Sequence, residues 1–95
     1  MQVAWTRTAL LHLEEIQYFV AQDSPAAAYD LAIALTERPN RLLAGNPMIG
    51  RMGRALGTRE RVLGDLPYII VYRVTKRVEI LAVVHTARLW PGKFD

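Results

Sequence analysis

The stretch from Thr58 to Pro91 constrains the fold most strongly, because it is dense in Val, Ile, Leu and Tyr and is broken by two turn signals. The turn signals are Gly-Asp-Leu-Pro at residues 64–67 and Thr-Lys-Arg at residues 75–77. Strands joined by turns this short pair antiparallel with their neighbours. We therefore predict three antiparallel strands, with Tyr68–Val74 as the central one.

The residues before this stretch have the periodicity of a helical layer that covers the sheet. A first helix is expected to begin after a cap at Thr6 or Thr8 and to end near Val20. Its apolar residues recur at helical spacing, with two more widening the stripe: Ala9, Leu13, Ile16 and Val20, then Leu10 and Phe19.

A second helix is predicted after Asp23-Ser24-Pro25, because Ser24 can cap free amides and Pro25 suits the first helical position. It should end at residues 45–47, Gly-Asn-Pro. Pro39 lacks an N–H, so we expect a kink or a short break there. Its apolar face is Leu31, Leu35 and Leu42.

Two shorter segments complete the outline. Residues 2–5 are apolar enough to form an edge strand that joins the sheet. Residues 50–57 contain three glycines and two arginines. No GK[ST] sequence is present and no helix is expected to follow, so we interpret this segment as a mobile basic connector and not as a phosphate-binding loop.

The composition excludes several classes of site. A chain of 95 residues fits one compact domain, which we place at residues 1–95. The absence of cysteine rules out disulfides, thiolate zinc sites and a Cys nucleophile. His12 has no ligand-type neighbour at metal-binding spacing, so we expect no metal and no cofactor. No apolar run reaches the roughly 20 residues that span a bilayer, so we expect no membrane association and a cytoplasmic location.

The charge is unevenly distributed. Residues 1–48 hold three Arg and five Asp or Glu, whereas residues 49–95 hold nine Arg or Lys and four Asp or Glu. Ten of the twelve cations are Arg, which makes planar, bidentate contacts with carboxylates and phosphates. The basic half therefore predicts an acidic protein or a nucleic acid as partner, and a merely solvated surface is the simpler alternative.

The two turns define a register for the sheet. They place Arg61 opposite Ile70, Arg59 opposite Tyr72 and Arg73 opposite Glu79. On this register one face consists of Ile69, Val71, Leu81, Val83 and His85, and the other of Ile70, Tyr72, Ile80, Ala82 and Val84 with Arg59 and Arg61. Because one helical layer covers one face, the other, apolar with arginines at its margin, is expected to bind a partner. Helices on both faces, or a homodimer, would also cover it.

The same register places Glu60 and His85 on one face. A metal-independent RNase needs a base, an acid and cations, which Glu60, His85 and the arginines could supply. Each residue also has a structural interpretation: Glu60 in a surface ion pair, His85 hydrogen-bonded at a strand end, Arg73 paired with Glu79. Trp90-Pro91 would anchor the tail on the sheet edge or contact a partner.

Taken in order, these motifs resemble the RelE/ParE superfamily of type II toxin–antitoxin toxins. The residues that carry the resemblance are Trp5-Thr6 with Ala9 and Leu13, Asp23-Ser24-Pro25 with Ala27-Ala28, Leu42 with Pro47 and Gly50, Gly57-Thr58-Arg59-Glu60, residues 68–74, and residues 80–85 with Arg88 and Trp90-Pro91. The resemblance implies an α+β fold in which a small antiparallel sheet packs on an N-terminal helical hairpin in the order β-α-α-β-β-β. It also implies an acidic, partly disordered antitoxin that wraps over the toxin, and a higher-order toxin–antitoxin complex.

The superfamily divides by target. RelE-like members are ribosome-dependent mRNA endonucleases with an Arg in the central strand and a Tyr near the C-terminus, whereas this chain has Ile69 at the corresponding position and ends without Tyr. ParE-like members inhibit DNA gyrase and resemble this chain in its His, Arg and Trp tail. The resemblance therefore favours a gyrase inhibitor that contacts antitoxin or target through Arg59, Arg61, Tyr72, Arg88 and Trp90. A RelE-like mRNA endonuclease, with Arg59, Arg61, Arg73, His85 and Arg88 as catalytic residues, is the alternative.

Overall fold

The computed structural model describes residues 1–87, which form a five-stranded mixed sheet with two helices packed on one face. In chain order the elements are β1 (Val3–Trp5), α1 (Arg7–Ala21), α2 (Pro25–Gly45), β2 (Arg51–Met52), β3 (Arg59–Val62), β4 (Tyr68–Val74) and β5 (Val78–His85). The strands lie in the order β1-β5-β4-β3-β2. Strand β1 runs parallel to β5, and the other neighbours are antiparallel. The predicted α+β class and its helical hairpin are confirmed.

Both helices begin at the predicted caps. The Thr6 hydroxyl oxygen accepts the Ala9 N–H at 3.3 Å, and the Ser24 hydroxyl oxygen accepts the Ala27 N–H at 3.1 Å. The Thr6 hydroxyl also donates to the Ile80 carbonyl at 2.9 Å. The cap therefore ties the start of α1 to strand β5 as well as satisfying a free helical amide.

Helix α2 runs without interruption through Pro39, so the predicted short break is wrong, and the alternative, a kink, stays a prediction. Pro39 is buried, as are Leu35 and Leu43 one turn to either side. Tertiary packing of an apolar stripe supplies most of the stability of a helix in a protein. We attribute the continuity of α2 to this packing, which offsets the single hydrogen bond that Pro39 cannot make.

Strand β2 forms where an unpaired loop was predicted. Arg51 pairs with Glu60 and Met52 with Arg59, which adds an edge strand to the sheet. The segment returns through Gly57, whose φ of 77° suits glycine. The Gly53 N–H then donates to the Thr58 carbonyl at 2.8 Å. The basic connector is therefore held on the sheet and is not a free loop.

The predicted register holds for β3 on β4, and it changes within β5. Arg59 faces Tyr72, Arg61 faces Ile70 and Arg73 faces Glu79, as predicted. However, Tyr72 pairs with Ile80 while its neighbour Val71 pairs with Ala82. Leu81 is therefore the extra residue of a β-bulge.

Beyond the bulge the predicted faces are exchanged. Val83 and His85 lie opposite Ile70 and Tyr68 on the helix-covered face, and Val84 lies opposite Ile69 on the other. A one-residue change of register moves every later side chain to the opposite face. The prediction that His85 shares a face with Ile69 and Val71 is therefore wrong.

The core lies between the helices and the sheet. Its buried members are Ala9, Leu35, Leu43, Leu63, Tyr68, Ile70, Tyr72, Val78, Ile80 and Val83. A second, smaller apolar cluster occupies the helix-free face and consists of Ile69, Val71, Ala82 and Val84. Among residues 1–87, neither helix combines the length and hydropathy needed to cross a bilayer.

Candidate partner-binding surfaces

Two groups of arginine and glutamate lie on the helix-free face of the sheet. The Glu60 cluster comprises Arg51, Arg54 and Glu60, near the β2 edge. The Glu79 cluster comprises Arg73, Arg77 and Glu79, at the β4–β5 turn. Each group has one more cation than anion, and the small apolar cluster shares their face. The members of that apolar cluster are at most 4% exposed, so the arginine side chains, which are about half exposed, are the part of this face that a partner can contact.

The Glu60 carboxylate is fully engaged within its cluster, and its side chain is only 1% exposed. One oxygen accepts Arg51 Nη2 at 3.1 Å, and the other accepts the Arg54 backbone N–H at 2.8 Å. Arg54 Nε lies 3.8 Å from the first oxygen. Glu60 therefore holds the segment after β2 on the sheet. The predicted ion pair is present, but the Glu60 side chain is buried and not on the surface.

In the Glu79 cluster, Arg73 Nε donates to Glu79 Oε1 at 2.6 Å, so the predicted cross-strand pair is confirmed. Arg77 Nη2 lies 3.6 Å from the other oxygen. The hydrogen bond from Arg73 lowers the pKa of Glu79 below its ordinary value, and the charges of Arg73 and Arg77 act in the same direction. Both arginine side chains remain about half exposed, so they can also contact a partner.

His85 lies on the helix-covered face, away from Glu60. Its ring meets the Tyr68 ring edge to face at a centroid distance of 5.2 Å, and its Nδ1 accepts the Ala87 N–H at 3.0 Å. The prediction that Glu60 and His85 share a face is wrong, because the Leu81 bulge reverses the end of β5. Within residues 1–87, no three His, Asp or Glu side chains converge where they could hold a metal ion.

Arg59 and Tyr72 contact the chain's own Gly50 turn. Arg59 Nη1 donates to the Gly50 carbonyl at 2.8 Å, and the Tyr72 hydroxyl oxygen accepts the Gly50 N–H at 2.8 Å. Tyr72 is completely buried. Their predicted contacts with antitoxin or target stay predictions. Arg88 and Trp90, the other two residues predicted to make such contacts, lie outside the described residues.

Arg61 belongs to a third basic site, which the sequence did not indicate. A cleft of about 660 Å³ lies between the C-terminal half of α2 and β3, and its lining includes Arg38, Arg41 and Arg61 together with Leu42 and Leu63. We call it the arginine cleft. Its sequence signal is the spacing of Arg38 and Arg41, three residues apart and so on one side of a helix. That spacing does not indicate which strand lies beside this side of the helix.

Aromatic side chains at the end of α1 are exposed. Tyr18 is 73% exposed and Phe19 is 75% exposed, so the predicted place of Phe19 in the buried stripe is wrong. Leu10, the other residue predicted to widen that stripe, is half exposed. Tyr18 and Phe19 line a groove of about 600 Å³ that extends to Tyr68 and His85.

A pH prediction follows from the paired carboxylates. Arg38 donates to Asp65 at 2.5 Å, which lowers the pKa of Asp65, just as Arg73 lowers that of Glu79. A lowered folded-state pKa stabilises the fold above the ordinary carboxyl values of 3.8 and 4.5, and this contribution is lost as the pH falls through the folded-state pKa.

The double variant Arg38→Gln/Arg73→Gln should therefore have a lower urea midpoint than the wild type at pH 7, with the difference shrinking below about pH 4. Arg7→Gln is the matched control, because Arg7 has no carboxylate partner within residues 1–87. A wild-type-to-variant difference that stays constant from pH 7 to pH 3 would contradict the pairing.

Comparisons with known proteins agree on one family. The family model described as ParE toxin of type II toxin-antitoxin system, parDE, matches residues 3–90. Toxin Y4kP of Sinorhizobium fredii is 42% identical over 90 residues, which cover 95% of this chain and 93% of that protein. Toxin RelE2 of Caulobacter vibrioides is 39% identical over 89 residues, covering 93% and 98%. The chromosomal ParDE TA system from P. aeruginosa provides a similar solved structure, with a TM-score of 0.78 and 27% identity over 90% of this chain and 95% of that one.

Proposed function

Because the chain belongs to the ParE toxin family of type II toxin–antitoxin systems, we propose that it arrests growth by inhibiting DNA gyrase and that an acidic antitoxin neutralises it. Membership of this family identifies the chain as the toxin of a type II pair. Gyrase as the target, and the chemistry of the antitoxin, are the parts proposed here. Since gyrase acts on DNA in the bacterial cytoplasm, the proposal places the toxin there.

The separation of Glu60 from His85 is the observation that supports a binding mechanism over acid–base catalysis. General acid–base catalysis needs both groups within hydrogen-bond reach of the reacting atoms. Here the two residues lie on opposite faces of the sheet, and both Glu60 oxygens are already bonded. A protein that inhibits its target by contact needs no such convergence.

The basic surfaces support the proposed antitoxin chemistry. The two arginine clusters and the arginine cleft give this chain three sites where carboxylates can bind bidentately. A disordered acidic segment can wrap over several such sites, and it folds as it binds. One antitoxin chain could thus contact the helix-free face of the sheet and the arginine cleft beside α2, in a toxin–antitoxin complex that can assemble further.

A ribosome-dependent mRNA endonuclease is the second candidate. It is favoured by the four arginines of the helix-free face, Arg51, Arg54, Arg73 and Arg77, because guanidinium groups also bind phosphates. A relative that carries the name RelE2 is 39% identical to this chain. In this candidate His85 would act as acid or base.

One culture can discriminate between the two candidates. The wild type is expressed from a tightly repressed promoter, and growth, mRNA integrity and plasmid supercoiling are followed together. The proposal predicts arrest with intact mRNA and altered plasmid topology. Arrest with cleaved mRNA and unchanged topology would overturn it, and loss of that cleavage in His85→Ala would then establish the endonuclease.

A further inference from the structure

The helical hairpin carries a charge opposite in sign to that of the rest of the chain. Residues 10–37 contain no Lys or Arg and five carboxylates, those of Glu14, Glu15, Asp23, Asp30 and Glu37. All five side chains are exposed, and within residues 1–87 none of them pairs with a Lys or Arg. The hairpin is therefore an acidic surface, on the side of the sheet away from the two arginine clusters.

The same segment exposes aromatic rings. Tyr18 and Phe19 at the end of α1 and Tyr29 on α2 are between 62% and 75% exposed, and no other aromatic side chain within residues 1–87 is exposed. Exposed rings that lie close together are typical of a binding surface, because burial of a large ring stabilises a complex.

Each groove beside these rings also has a carboxylate in its lining. Glu15 lines the groove of about 600 Å³ that contains Tyr18 and Phe19. Glu37 lines a second groove, of about 310 Å³, that contains Tyr29 and lies between the two helices. An aromatic ring and a carboxylate together attract a cation, since the ring face and the negative charge both favour an ammonium or guanidinium group. We call these five residues the hairpin surface.

The charge of the hairpin surface limits its partner. An acidic antitoxin or the phosphates of a nucleic acid would bring further negative charge to a segment that already has five unpaired carboxylates, and like charges across an interface repel. A protein surface that presents Lys or Arg among apolar residues matches both the rings and the carboxylates.

We propose that the hairpin surface binds the toxin's target protein, and that Lys or Arg side chains of that protein enter the two grooves. This inference rests on the proposed function, which supplies a target that is inhibited by contact, and it adds the surface that meets this target. The toxin thereby uses opposite sides for its two partners, with the arginines for the antitoxin and the hairpin surface for the target.

The affinity of the full-length toxin for purified DNA gyrase tests this surface. Glu15→Lys/Glu37→Lys reverses the carboxylate of each groove and should weaken the affinity at least about tenfold, because the introduced cations would repel those of the partner. Glu14→Lys/Asp30→Lys is the matched control, since it makes the same change of charge outside both grooves and should stay within about threefold of the wild type. Urea midpoints check that every variant folds.

A second variant keeps the charge and removes one ring from each groove. Phe19→Ala/Tyr29→Ala should also weaken the affinity for gyrase by about tenfold. Wild-type affinity in both groove variants would overturn the proposal. So would a groove variant that loses its antitoxin but keeps gyrase, or one that dissociates a homodimer of the toxin, because the grooves would then hold that other partner.

Growth arrest separates this inference from the identity of the target. If the wild type does not bind gyrase, the proposed function is wrong, and the same variants are compared by arrest in cells. Folded groove variants that no longer arrest growth, beside a control variant that does, would support the hairpin surface for another target. Groove variants that arrest growth like the wild type would overturn it.

Discussion

Replacement of Tyr72 by Ala is expected to lower the free energy of unfolding by about 3–5 kcal/mol, because the ring fills the core and leaves a cavity when it is removed. Tyr72 has no exposed surface and is the largest of the fully buried side chains among residues 1–87. Its hydroxyl oxygen also accepts the Gly50 N–H at 2.8 Å, so one side chain joins β4 to the turn before β2.

Tyr72→Phe separates the two contributions. It keeps the ring and leaves the buried Gly50 N–H without its acceptor, which costs about 1–3 kcal/mol. Urea unfolding of the three proteins at one pH measures both steps. If Tyr72→Ala were as stable as the wild type and lost only its affinity for a partner, Tyr72 would be a contact residue and its place in the core would be wrong.

The second large effect is expected at Glu60. Glu60→Ala removes the acceptor for Arg51 and for the Arg54 N–H, which should destabilise the fold by about 2–3 kcal/mol, since hydrogen bonds that involve a charged group are the stronger ones. Glu60→Gln retains one acceptor oxygen and should cost about 1 kcal/mol. The released segment after β2 should also exchange its amide hydrogens faster.

Activity distinguishes a structural Glu60 from a catalytic one. If Glu60 only holds this segment, Glu60→Gln should still arrest growth with undegraded mRNA. If Glu60 were a general base, the same substitution would abolish mRNA cleavage while leaving stability nearly unchanged. The pair of variants therefore tests the ion-pair interpretation by stability and by function at once.

Local signals predicted most of this fold. Thr6 and Ser24-Pro25 begin the helices because capping depends on a few adjacent residues. The short turns aligned β3 with β4 and Arg73 with Glu79, since a turn sets the register of the strands that it joins. The resemblance to toxins came from these motifs in order, and the comparisons confirmed it.

The predictions that are wrong concern features that tertiary contacts determine, namely the faces of β5 and the pairing of β2. Residues 80–84 are all apolar, so no alternation of polar and apolar residues indicates which face of the sheet each side chain occupies. The β-bulge at Leu81 therefore has no signal in the sequence. β2 has two residues between glycines, and its pairing depends on contacts with β3 such as that of Arg51 with Glu60. The bulge is also the reason that Glu60 and His85, which are predicted to share a face of the sheet, lie on opposite faces.

The arginine cleft could not be predicted for the same reason. Arg38 and Arg41 look like ordinary solvated residues on α2 until the fold brings Arg61 of β3 beside them. Sequence periodicity defines the sides of one helix, and it does not say which strand crosses them. Sites built from two distant elements are therefore the part of such a chain that needs the structure.

The most direct test of gyrase inhibition uses purified components. Relaxed plasmid, DNA gyrase and ATP are incubated with increasing amounts of the full-length toxin, and the topoisomers are resolved on a gel. Supercoiling should fall as toxin is added and return when antitoxin is supplied. Undiminished supercoiling at saturating toxin, together with cleavage of ribosome-bound mRNA by the same preparation, would contradict gyrase inhibition.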